Sequence, residues 1–146
     1  MNPRQTALYL AAQAHEGQLD RGGAPYLLHP VYVALQCADE TGQTVALLHD
    51  TIEDSDLTLE DLARAGFSAE VVAAVDALSR RTDESYEEYV VRLCKNPLAR
   101  RIKRFDLLHN LDRSRLPSFS ERDQERFDRY TWALGELDRI EGGASS

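Results

Sequence analysis

Apolar residues recur along this chain at three- and four-residue spacings, and no segment alternates apolar and polar positions over a strand's length. The pattern predicts helices almost throughout. Pro3 suits a first helical turn, and a packing stripe runs from there to His15. Residues 16–30 carry paired glycines and two prolines and read as a loop, with His29-Pro30 opening the next helix over 31–40. Thr41-Gly42 is expected to break it. Thr58, with Asp61 three residues on, marks a capped start, Gly66 a stop, and Ser68 a second cap before a stripe of Val71, Val72, Val75 and Leu78. A helix over 85–96 is expected to end at Pro97, followed by one over 98–115 and a last one from Ser120 to about Ile140. The fold class is all-α: a single helical bundle over residues 1–141, with 142–146 a frayed tail.

The stretch Val45–Asp56 stands apart. Wound as one helix at about 100° per residue, it sets Val45, Leu48 and Ile52 on one side. His49, Asp50, Glu53 and Asp54 share an arc on the other. Like charges so spaced repel by a few tenths of a kcal/mol per pair, roughly, and by more when partly buried. A divalent cation is the simplest thing that would offset the repulsion.

Composition narrows the field. At 146 residues the chain is long enough for one domain with a proper core. A formal charge of −8 argues against a nucleic-acid partner, whose footprint would be basic. No apolar run is long enough for a membrane span and no secretory leader is evident, so the expected compartment is the cytoplasm. Cys37 and Cys94 sit in no metal spacing and read as reduced thiols. Glycine-rich phosphate loops and nucleophile-elbow motifs are absent, so the chemistry falls to histidines and carboxylates. His49 and Asp50 can supply two ligands to an octahedral ion such as Mn²⁺, and His29 and Asp106 are the natural candidates to complete the set. Lys103, Asp106 and Asn110 share a helix face. Lys103 and Arg21 could balance charge on a phosphorylated substrate, and Asn110 could bond its sugar or phosphate.

Four motifs occur in order: Gly17-Gln18, Gly-x-Pro-Tyr-x-x-His-Pro ending at Pro30, Ala46 to Asp54, and Lys-x-x-Asp-x-x-His-Asn from Lys103 to Asn110. Together they resemble the HD-domain hydrolases, and more narrowly the RelA/SpoT-homologue hydrolase module and its stand-alone versions, the small alarmone hydrolases. The resemblance implies a single Mn²⁺ held by His29, His49, Asp50 and Asp106, with Glu53 and Asp54 positioning or deprotonating the attacking water. It implies removal of the 3′-pyrophosphate from guanosine tetra- and pentaphosphate. It also implies a small phosphorylated nucleotide as partner and a hydrolase without the synthetase domain of the long members. His15 and His109 fall in the motifs too and are expected to pack or to support the ligands.

The chain departs from the pattern at Asp20-Arg21, at Arg104-Phe105 and at Leu107, all of which bear on how substrate is held. In the family the residue matching Asp20 is a base-stacking cation, so relaxed guanine selectivity is expected. Two other readings stay open: a phosphatase of another small phosphoester, such as a nicotinamide dinucleotide phosphate, and a non-catalytic nucleotide sensor.

Overall fold

A computed structural model describes residues 2–144. Its helices are α1 (Pro3–Ala14), α2 (Leu28–Gln36), α3 (Glu40–Leu48), α4 (Thr51–Asp54), α5 (Leu59–Arg64), α6 (Ala69–Leu78), α7 (Tyr86–Leu93), α8 (Pro97–Asn110) and α9 (Glu121–Ala144), with a 3₁₀ turn at Arg113–Arg115. No strand occurs among the described residues. One isolated bridge, Leu19 with Pro25, pinches the loop between α1 and α2. No described helix is long and apolar enough to cross a membrane.

The core forms around α3, which packs against α1, α2, α6 and α8. Val45, Ala46 and Leu48 are fully enclosed there, with Ala7, Val33, Val75 and Ile102 among the buried residues from those neighbours. Local signals act as expected at Thr58, whose hydroxyl and Asp61 form a reciprocal cap, and at Ser68, which accepts from Val71 N. Cys94 is buried, Cys37 half-buried, and both are free thiols.

Several boundaries differ from expectation, among them the end of α8, which stops at Asn110 rather than 115. Thr41-Gly42 does not break a helix: the chain turns at Cys37 to Asp39, and Asp39 caps α3 by accepting from Gly42 N at 2.7 Å. Gly42 sits close under the cap: a Cβ there would stand 2.9 Å from Asp39 Oδ1, so a larger residue would make the capping side chain shift. Pro97 opens α8 at its first turn behind the Asn96 cap, and α7 has already ended at Leu93. The last helix continues through Ala144, past the expected frayed tail at 142. Glu141 ties this end to α8 through Arg104 at 2.9 Å and Arg100 at 3.4 Å. Ser145 and Ser146 lie outside the described residues.

The largest difference falls on the central stretch, which is two helices rather than one. Leu48 ends α3, Asp50 takes φ −108° and ψ 0°, and α4 starts at Thr51. Side chains satisfy the carbonyls freed by the break: Thr51 Oγ1 donates to Leu48 O at 2.8 Å, and His49 Nδ1 lies 2.5 Å from Ala46 O. The His-Asp pair therefore sits in a helix junction.

Candidate metal centre

Two helices and the α3–α4 junction bring the predicted residues together. His29 comes from the first turn of α2, His49 and Asp50 from the α3–α4 junction, and Asp106 from the middle of α8. Each offers one donor atom, and the four atoms lie within 4.8 Å of one another. His29 Nε2 is 2.7 Å from Asp106 Oδ1, while His49 Nε2 is 3.1 Å from Asp50 Oδ2 and 3.4 Å from Asp106 Oδ1. His29 and His49 are each 2% exposed and Asp106 4%.

The surrounding groups orient these donors. Tyr26, the tyrosine of the Gly-x-Pro-Tyr motif, donates its hydroxyl to Asp50 Oδ2 at 2.5 Å, a support for the ligand set that the sequence does not announce. Lys103 Nζ lies 2.9 Å from Asp106 Oδ2, and Asn110 Nδ2 donates to Asp106 Oδ1 at 3.1 Å. Ala46 O holds His49 by Nδ1, leaving Nε2 buried without a hydrogen bond despite the nearby carboxylates. His29 Nδ1 meets His109 Nδ1 at 2.7 Å. The two rings are 4° from parallel with centroids 5.0 Å apart, about the nitrogen separation plus two ring radii, so the bond runs in the ring plane. Tyr32 covers the face of His109 at 3.9 Å. His109 thus fixes one nitrogen of His29 and leaves the other facing the cluster.

Electrostatics favour positive charge at this point. Burial pushes the His49 imidazole down, but Asp50 and Asp106 outweigh it and raise its pKa well above the ordinary value. Burial alone would raise the Asp50 carboxyl, yet His49 brings it to about 2. Asp106 is held well below the carboxylate range because the Lys103 charge and the two histidines overcome its burial. Two imidazole nitrogens and two carboxylates, one nitrogen orphaned and every anchor supplied from behind, suit a divalent ion with mixed nitrogen and oxygen donors.

Beside the cluster is a cavity of about 260 Å³ lined by Asp50, Glu53, Lys103, Asp106 and Asn110 together with Tyr26, Arg80, Tyr86, Tyr89, Arg129 and Tyr130. Glu53 accepts a hydrogen bond from the Arg80 backbone, and burial raises its carboxyl pKa against the pull of that bond. Asp54 is differently placed. It does not line this cavity; Gln18 Nε2 donates to it at 3.2 Å and His15 Nδ1 lies 3.6 Å away. Arg21 also stands apart, paired with Asp123 at 2.8 Å in a neighbouring cavity of about 300 Å³. Tyr26, Asn110 and Tyr130 line both chambers. Asp20 is spent on the loop itself, accepting from Gly22 N at 2.8 Å and Ala24 N at 2.9 Å, with Arg115 at 3.7 Å. A side chain at Gly22 would collide with the Arg115 carbonyl, so the loop lies tight against the 3₁₀ turn. The Pro-Tyr pair before His29 was a possible signal for Tyr26, whereas nothing local marks Arg80 or Arg129.

Comparison with known proteins agrees with this geometry. The HD domain family model matches residues 7–111. A probable GTP pyrophosphokinase of Mycobacterium leprae (strain TN) is 36% identical over 120 residues, covering 73% of this chain and 15% of that protein. A guanosine-3′,5′-bis(diphosphate) 3′-pyrophosphohydrolase of Vibrio cholerae is 49% identical over 76 residues, 49% of this chain and 10% of that one. The chain therefore spans a small part of the length of these curated relatives. Among solved structures, a metazoan ortholog of SpoT, described as hydrolysing ppGpp, superposes with a TM-score of 0.79 at 24% identity, covering 94% of this chain and 86% of that one, a likeness of fold. Most of the helical body answers to one family model, and the chain belongs to the HD-domain family.

Proposed function

We propose that this chain is a Mn²⁺-dependent hydrolase that removes the 3′-pyrophosphate of (p)ppGpp or a related nucleotide. The observation that carries the reading is the convergence of His29, His49, Asp50 and Asp106 beside a cavity holding Glu53 and cationic side chains. The relatives named as 3′-pyrophosphohydrolases support the choice of substrate.

Those four residues would hold the ion, and their mixed donor set suits Mn²⁺. A divalent ion held there would supply Lewis-acid activation of the phosphoryl group and a water made more acidic than bulk water. The chain's own groups do the rest. Glu53, its carboxyl made more basic by burial, accepts the proton of the attacking water. Lys103 and Asn110 hold Asp106 in place while facing the phosphates. The water oxygen joins the phosphorus next to ribose O3′, the phosphorus–O3′ bond breaks, O3′ receives the proton, and inorganic pyrophosphate departs. Asp54, held by Gln18 and His15, positions the loop that carries Tyr26 rather than taking the proton.

The engaged Asp20 carboxylate favours relaxed base selectivity, since it has no lone cation to stack on guanine and its oxygens already serve the loop. Phosphorus NMR of Mn²⁺-loaded protein with competing guanosine and adenosine 3′-pyrophosphates tests both points. Release of pyrophosphate from both, within about a hundredfold, equivalent to about 2.7 kcal/mol, is expected. Orthophosphate alone, or no product, would refute the reaction, and stricter guanine preference would refute the selectivity.

A further inference from the structure

Two arginines of the 260 Å³ cavity remain without a carboxylate partner. Arg129, on α9, makes no ion pair or hydrogen bond among the described residues. Glu125 stands one turn before it, the usual place for an ion-pair partner, yet the two do not pair. The Arg129 guanidinium instead lies 5.6 Å from the centre of the Tyr86 ring. Arg80, from the connection between α6 and α7, approaches the same ring at 5.9 Å. Its side chain donates one hydrogen bond, from Nε to Glu84 O at 3.0 Å, leaving the terminal nitrogens of its fork unused. The Tyr86 hydroxyl is shut off from solvent and has no hydrogen-bond partner. The other charged groups of the cavity are engaged: Lys103 with Asp106, Asp50 with Tyr26 and His49, and Glu53 with the Arg80 backbone.

Two like charges drawn to one aromatic ring repel each other, and cation–π contact at such range offsets that weakly. Guanidinium forks are donors shaped for phosphoryl oxygens. We propose that Arg80, Arg129 and Tyr86 form a subsite for the distal phosphoryl group of a pyrophosphate whose proximal phosphoryl group lies at the His29, His49, Asp50 and Asp106 cluster. The subsite makes the site selective for pyrophosphoryl over monophosphoryl groups. It rests on the proposed hydrolysis for its substrate, but binding of inorganic pyrophosphate tests it without turnover.

The test titrates inorganic pyrophosphate and inorganic phosphate separately into Mn²⁺-loaded protein freed of excess metal, for wild type, Arg129→Gln and the Arg80→Gln/Arg129→Gln double variant. Circular dichroism confirms folding, and metal content is measured after each titration. Metal chelation by the probe is common to all three proteins, so the difference between them isolates the subsite. Wild type is expected to prefer pyrophosphate by about tenfold or more, equivalent to about 1.4 kcal/mol. Arg129→Gln should lose most of that preference and the double variant all of it, with phosphate affinity nearly unchanged. Equal preference in all three proteins would overturn the subsite. If the preference falls with the arginines while no nucleotide 3′-pyrophosphate is hydrolysed, the subsite stands and the hydrolase reading fails. Turnover with an unchanged preference leaves the hydrolase and removes the subsite.

Discussion

The two ends of the candidate site are built differently. At the metal end, His29, His49 and Asp106 are almost wholly enclosed and each is gripped from behind, by His109, Ala46 O and Lys103 respectively. The cavity end, proposed to take the phosphates, is assembled from exposed pieces, Arg80 from a connection and Arg129 from α9, with Arg21 bound to Asp123 next door. A change at the first end disturbs the core, whereas a change at the second alters only what binds. On the proposed function, this division separates what holds the metal from what selects the ligand.

The largest expected effect comes from Asp106→Ala, which removes a candidate ligand and strands the buried Lys103. Breaking a buried pair from one side costs on the order of 3–5 kcal/mol. Denaturant unfolding in chelator should show that loss, and metal binding and turnover should disappear with it. An unchanged midpoint would mean that the core does not depend on the pair. Glu53→Gln separates chemistry from binding. It should keep its metal and its fold and lose on the order of 10²-fold or more in kcat. Normal turnover would remove Glu53 from the proton-transfer role.

His109→Phe keeps a ring against Tyr32 but removes the acceptor for His29. Burial, with Arg115 and His29 adding to it, lowers the His109 pKa to about 4, so it is neutral and able to accept near pH 7. Mn²⁺ affinity should fall roughly 10- to 100-fold, the scale for groups that orient a ligand. Unaltered affinity would reduce His109 to packing. The smallest effect lies farther from the site. Hydrogen bonds from Arg92 hold the Glu84 carboxyl at about 2, below its ordinary 4.5, and Arg92 also ties down Ser79 O near Arg80. A depressed pKa stabilises the fold above the ordinary value and loses that contribution as pH falls towards 2. Glu84→Gln should therefore melt a few degrees lower than wild type above about pH 4.5, with the gap closing on acidification. A gap that widened in acid would contradict the assignment.

What the sequence makes legible follows from what is local. Caps at Thr58 and Ser68 act within one turn, so residue type and spacing reveal them. The apolar stripe of Val45, Leu48 and Ile52 runs through the His49-Asp50 junction undisturbed and hides the break. That break is set by side-chain bonds from Thr51 and His49 and by burial, none of which periodicity records. His29, His49, Asp50 and Asp106 are legible because each lies in a motif, and the fold brings their donor atoms together. Arg80, Tyr86 and Arg129 meet only through the packing of α9 beside α7, and no spacing along the chain announces them. Arg21 is expected at the phosphates from its charge and from its place just after the Gly17-Gln18 motif; in the fold it pairs with Asp123 in the adjoining chamber.

Everything rests on the four converging donors acting as one cation site. The most direct measurement is a Mn²⁺ titration of the chelator-treated chain, followed by electron paramagnetic resonance, alongside Asp50→Ala and His49→Ala. One ion per chain in the wild type, absent from both folded variants, is the predicted result. Binding that persists unchanged in either variant, or no binding in the wild type, would contradict it.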